Sequence, residues 1–168
     1  MTGRLLRQID RLSALAMGAA VVLGAALIAV MLLEVVMRYG LGRPLIWSQE
    51  VTGILNACMF LSAAAPALRA GQHVTVGILA DRLAPRLRHA ILAVALGLMF
   101  LPAVALIEWT VIGRAWRAFL SGEVDEVSPW RHVLWPFYAA IALALLPFVL
   151  QVAAEALRHA GAARRRTS

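Results

Sequence analysis

The sequence predicts an all-α integral membrane protein: four transmembrane helices arranged as two hairpins joined by a cytoplasmic amphipathic arm. Three observations predict it. First, the 168 residues are 62% hydrophobic and only 15% charged, with a mean hydropathy of +0.80, whereas a soluble domain carries roughly 45–50% apolar and about 25% charged residues. Second, the apolar excess is gathered into four blocks separated by polar breaks. Third, the basic residues gather on one side of that pattern and the large aromatics on the other. A single membrane domain, 1–168, holds spans at about 12–37, 47–68, 86–110 and 133–155, the arm at about 69–85 and an external loop at about 111–132.

The first span opens after Arg4, Arg7, Asp10 and Arg11 and runs from Leu12 to Leu33, 22 residues without a charge. At 1.5 Å per residue that is about 33 Å, enough for a hydrocarbon core of about 30 Å. It exceeds the apolar stretch of about 7–15 residues in a cleavable signal peptide, so an uncleaved span is expected. Gly18, Ala19, Ala20, Gly24, Ala25 and Ala26 give it small-residue patches that admit a neighbouring helix. Glu34 and Arg38, four apart at its end, share a helix face and can pair.

Gly40-Leu-Gly-Arg-Pro44 breaks the helix. Ile46-Trp47-Ser48-Gln49-Glu50 opens the second span, with Trp47 suited to the bilayer interface and Ser48 a candidate cap. Val51 to Leu68 follows without a charge. Asn56, Ser62 and Pro66 make it the most polar span, as expected of a helix packed against protein.

In the arm, Val76, Leu79, Leu83 and Leu87 recur every three or four residues, with Asp81, Arg82, Arg86 and Arg88 between them. That pattern suits a short helix on the membrane surface. Pro85 fits the first turn of the next helix, whose uncharged core is Ala90–Ile107. The external loop carries Arg114, Trp116, Arg117, Glu123, Asp125, Glu126, Trp130 and Arg131. The fourth span, Val133–Ala154, is uncharged over 22 residues, and a tail with Arg158 and Arg164-Arg165-Arg166 follows.

Four spans put both ends and the arm on one side. All 16 basic residues are Arg, and 11 of them fall there (4, 7, 11, 69, 82, 86, 88, 158, 164, 165, 166) against 5 on the other (38, 43, 114, 117, 131). The excess of positive charge marks the cytoplasm. Independently, all five Trp and both Tyr lie by the two external loops. The net charge of +7 therefore belongs to the membrane surface, and no nucleic-acid partner is expected.

Charged residues inside a membrane invite a functional reading. The candidates are Glu34 and Glu108, both near the external ends of their spans, where an interfacial pair or a contact to a partner helix is the plain reading. The four His (73, 89, 132, 159) lie outside the uncharged cores, which does not suit haem ligation within a bundle. No zinc spacing, Gly-rich phosphate loop or Ser-His-Asp arrangement is present. No enzyme activity, cofactor or metal is expected. Cys58, the single cysteine, reads as a buried core residue.

What remains is Arg38-Tyr39, then Trp47-x-x-Glu50, then Arg69-x-Gly71-x-His73-Val74. Their order and placement resemble the small membrane subunit of tripartite ATP-independent periplasmic (TRAP) transporters, the DctQ-like family, over nearly the whole chain. That family shows an Arg-aromatic pair ending the first span, Trp-x-Glu-Glu opening the second and Arg-x-Gly-x-His-Ile before the third. Gln49 replaces the first acid of the second motif and Gly77 the acid often found four residues after the His, so roles tied to those acids do not transfer.

The resemblance implies an accessory subunit in a bacterial inner membrane. It packs as a scaffold against a large subunit that moves an organic acid captured by a periplasmic substrate-binding protein, driven by a sodium or proton gradient. Arg38, Trp47 and Glu50 are expected to form one external cluster fixing the first hairpin. Arg69 and His73 are expected to brace the arm against lipid phosphate or the large subunit. The plain readings are an interface anchor for Trp47, a topology signal for Arg69 and a local helix cap for His73. The rival is a stand-alone proton-coupled exporter using Glu34.

Overall fold

The computed structural model describes residues 2–70 and 85–164. Helix α1 runs over Thr2–Val35 and continues through a π turn, Val36–Gly40. Helix α2 is Ser48–Arg69. Helix α3, Pro85–Val94, passes through a second π turn, Ala95–Phe100, into α4, Leu101–Ser121. Helix α5 is Trp135–Arg164. No strand occurs among the described residues beyond an isolated antiparallel bridge between Val124 and Val133. Four helical rods, Arg4–Gly40, Ser48–Arg69, Leu87–Ser121 and Trp135–Ala163, are long and apolar enough to cross a membrane. This is the predicted all-α, four-span architecture. Most of the predicted arm, residues 71–84, lies outside the described residues, and His73 with it.

Helices are the natural product of these blocks, since a backbone in hydrocarbon must satisfy its polar groups within the segment. Their ends follow local chemistry. Proline opens α3 at Pro85, where its missing N–H costs no bond. Gly122, at φ 64°, ends α4 in the left-handed conformation that favours glycine. The amides of Gly122 and Glu123 both donate to the Ala118 carbonyl. The helix thus outlasts the span expected to leave the membrane at about 110. Beyond that point Phe119 packs edge-on against Trp135 of α5, with ring centroids 5.4 Å apart.

The expected cap at Ser48 is corrected. Ser48 lies inside α2, the flanking Trp47 makes no side-chain cap bond, and Ser48 Oγ instead donates to the Leu45 carbonyl at 2.9 Å. The backbone approaches the helix through a turn, so the hydroxyl meets a carbonyl behind it rather than a free amide ahead.

The last helix is the centre of the bundle. It packs against α1, α2, α3 and α4, while α1 packs mainly on α2. In its most apolar stretch 44% of residues are buried, against 22% for α2 and 6% for each of the other rods. The core joins Ala65 and Leu68 of α2, Val104 of α4, and Leu145, Phe148 and Val152 of α5. Phe100 meets Phe148 edge-on, with centroids 5.9 Å apart. Small side chains let the axes approach: Ala16, Ala20, Ala142, Ala144, Ala154 and Ala156 are all buried. Part of the small-residue patch predicted on α1 is used this way. A Cβ on Gly24 would sit 3.1 Å from Met59 Sδ, whereas Gly18 faces open space. Cys58 is buried, as read from the sequence. Leu15, Val22, Ile28, Leu98, Met99 and Leu106 point outward, an arrangement at home in lipid, where outward apolar surface carries no penalty.

Candidate functional site

Polar side chains are few in this bundle, so where they meet is informative. They gather at its two ends.

At the end holding the loops, Glu34 organises the first hairpin. Its Oε1 accepts from Arg38 Nε at 2.8 Å and from Nη2 at 2.6 Å. Its Oε2 accepts the Leu45 amide at 2.9 Å. The pairing read from the four-residue spacing is therefore present, and the same carboxylate also ties down the far side of the loop.

Glu50, in the first turn of α2, reaches a different element. Ser128 Oγ in the second loop donates to Glu50 Oε1 at 2.5 Å. That loop is folded on itself. The Asp125 amide donates to the His132 carbonyl and the Leu134 amide to the Glu123 carbonyl. Asp125 Oδ1 accepts the amides of Val127 and Ser128, and Ser128 Oγ accepts the Trp130 amide at 3.1 Å. Arg131 holds φ at 47° to complete the turn. Trp130, His132 and Phe137 pack ring against ring. Glu50 Oε2 and His132 Nδ1 are buried there without a hydrogen-bond partner among the described residues.

At the end holding both termini, four helices are cross-linked. Ser13 Oγ donates to Gln151 Oε1 at 2.7 Å, joining α1 to α5. Gln151 Nε2 donates to Glu155 Oε1 at 2.9 Å. Arg158 spans Glu155 and Asp10, at 2.5 Å each. Arg69 from α2 approaches Asp10 more loosely, with Nε 3.5 Å from Oδ1. On the other flank His89 of α3 and His159 of α5 bring their Nδ1 atoms to 2.9 Å.

Three of the residues singled out from the sequence thus meet separate partners. Arg38 bonds Glu34, Glu50 bonds Ser128 and Arg69 bonds Asp10; no hydrogen bond joins Arg38 to Glu50. Trp47 is partly exposed at the start of α2. Glu108 is 7% exposed on α4, with Oε2 lacking a partner among the described residues. Sequence reasoning passed over Ser13, Asp10, Gln151, Ser128 and Arg158. One signal for them was present: a lone Gln in a 22-residue uncharged run should face protein rather than lipid. Among the described residues no group of three or more His, Cys, Asp or Glu is placed to hold a metal ion.

The fold and its two end clusters define a multi-pass helical membrane protein whose polar side chains bind helix to helix. The family model described as tripartite ATP-independent periplasmic transporters, DctQ component, matches residues 27–161. The chain belongs to that family and is a small membrane component of a TRAP transporter. Membership implies association with a large membrane subunit and a substrate-binding protein. Searches of curated proteins and of solved structures return no match.

Proposed function

We propose that this chain is the scaffold subunit of a TRAP-type secondary transporter for organic acid uptake, packing against the large transport subunit in a bacterial inner membrane with both termini cytoplasmic. The observation that carries the reading is the family match over 27–161. The bundle supports it. Several of its polar groups form internal cross-links, and its outer helices keep broad apolar faces. The Arg asymmetry supports the orientation.

Against the exporter reading, both oxygens of Glu34 accept hydrogen bonds, from Arg38 and from the Leu45 amide, which favours the interfacial pair.

Arg38, Trp47 and Glu50 serve in this proposal to set the external end of the first hairpin, with Arg38 acting through Glu34 and Glu50 through Ser128. Arg69 and His73 brace the cytoplasmic side toward the large subunit or lipid phosphate. The test is uptake of labelled organic acids into proteoliposomes holding the large subunit and binding protein, with and without this chain. Uptake that depends on the chain supports the scaffold role, and equal uptake without it overturns it. A C-terminal reporter active only in the periplasm would overturn the orientation. Arg69→Ala and His73→Ala are expected to weaken co-purification with the large subunit.

A further inference from the structure

The pair His89–His159 is unlike the other cross-links, because it joins two imidazole rings, which carry the same charge when both are protonated. The Nδ1 atoms lie 2.9 Å apart, with ring centroids at 5.1 Å and planes inclined by 31°. At that distance one Nδ1 must carry the proton and the other must offer its lone pair. A second proton at this contact sets two N–H groups, and two positive rings, against each other. The bond therefore exists only while the two rings share one Nδ1 proton.

The surroundings sharpen this. Arg88 stands beside His89 on α3 and bears on His159 as a like charge. Glu155, one turn before His159 on α5, is the nearby carboxylate, but it already accepts from Arg158 and Gln151. Asp10 from α1 is taken by Arg158, and Arg69 from α2 leans on Asp10. Among the described residues, the acids near this end, Asp10 and Glu155, are thus engaged by arginines. On the other flank of α5, ion pairs link Asp10 of α1 to Arg158 of α5 and Arg69 of α2.

We propose that His89 and His159 form a proton-sensitive latch that holds the start of α3 against the end of α5 and releases it on mild acidification. Release separates the third rod from the central helix at the terminus-bearing end only, since the core around Val104, Leu145 and Phe148 holds the middle. The latch does not depend on the transport role proposed above.

Spin labels on Leu87→Cys and Leu157→Cys, both outward-facing residues beside the pair, report the gap in the full chain in lipid nanodiscs, with buried Cys58 replaced by Ala. The label distance is expected to lengthen and broaden between pH 7.5 and 5.5. Without labels, the apparent melting temperature should fall by about 2–4 °C over the same range. The double replacement His89→Gln/His159→Gln should flatten both responses. A distance unchanged across the range overturns the latch. So does a response that survives in the double variant, which would assign it to the carboxylates of Asp10 and Glu155.

Discussion

Ser13 and Gln151, 138 residues apart, share a 2.7 Å hydrogen bond in a site where neither is more than 1% exposed. It couples the first helix to the last inside the apolar bundle. Measured bonds of this kind between membrane helices average about 0.6 kcal/mol and reach about 2 kcal/mol. Ser13→Ala leaves Gln151 Oε1 buried without its donor, so it should cost about 1 kcal/mol in thermal or denaturant unfolding. Adding Gln151→Leu removes the stranded group, and the double variant should lose less than the sum of the two singles.

Asp10 has two arginine partners of different quality. Arg158 is 2.5 Å away with its side chain 30% exposed, and it bonds Glu155 as well. Arg69 is 3.5 Å away and 46% exposed. Arg158→Ala should therefore destabilise the bundle by about 1–2 kcal/mol, and Arg69→Ala by no more than about 0.5 kcal/mol. Equal losses in the two variants would show that the geometric difference carries no energetic weight. A large assembly defect in Arg69→Ala with unchanged stability would instead locate its role in contact with another molecule.

Removing charge from Glu34 keeps an acceptor for the Leu45 amide but loses the ion pair to Arg38. Because Arg38 is about half exposed, at 53%, Glu34→Gln should cost less than about 1 kcal/mol. Uptake by the complete complex should change less than twofold. Abolished transport in a stably assembled Glu34→Gln complex would revive a proton-carrying role.

Ser128 is the only side chain in the second loop seen bonded to α2 among the described residues. Ser128→Ala also strips the Trp130 amide of its acceptor. The variant should lose about 1 kcal/mol and become more easily cut by protease between residues 122 and 134, with the span helices still intact by circular dichroism. Unaltered cleavage would mean that the Trp130, His132 and Phe137 rings hold the loop without the bond.

Much of this protein is legible without coordinates because its strongest signals are local. Each span declares itself through an uncharged run of sufficient length. Glu34–Arg38 is equally local, since four residues along a helix bring two side chains to one face. The family motifs are short strings at helix ends, and the match over 27–161 agrees with them.

What only the tertiary structure decides is the order and rotation of the helices. Hydropathy singles out the second run as the most polar, yet the last helix is the most buried and the first is peripheral, because lipid and protein interior are equally apolar. The decisive pairs are separated by 78 residues for Ser128–Glu50, 148 for Arg158–Asp10 and 70 for His89–His159. No periodicity links such positions. They meet because close packing of small side chains around α5 sets which faces touch, and each buried polar group then has to find its partner on the helix that packing has put beside it.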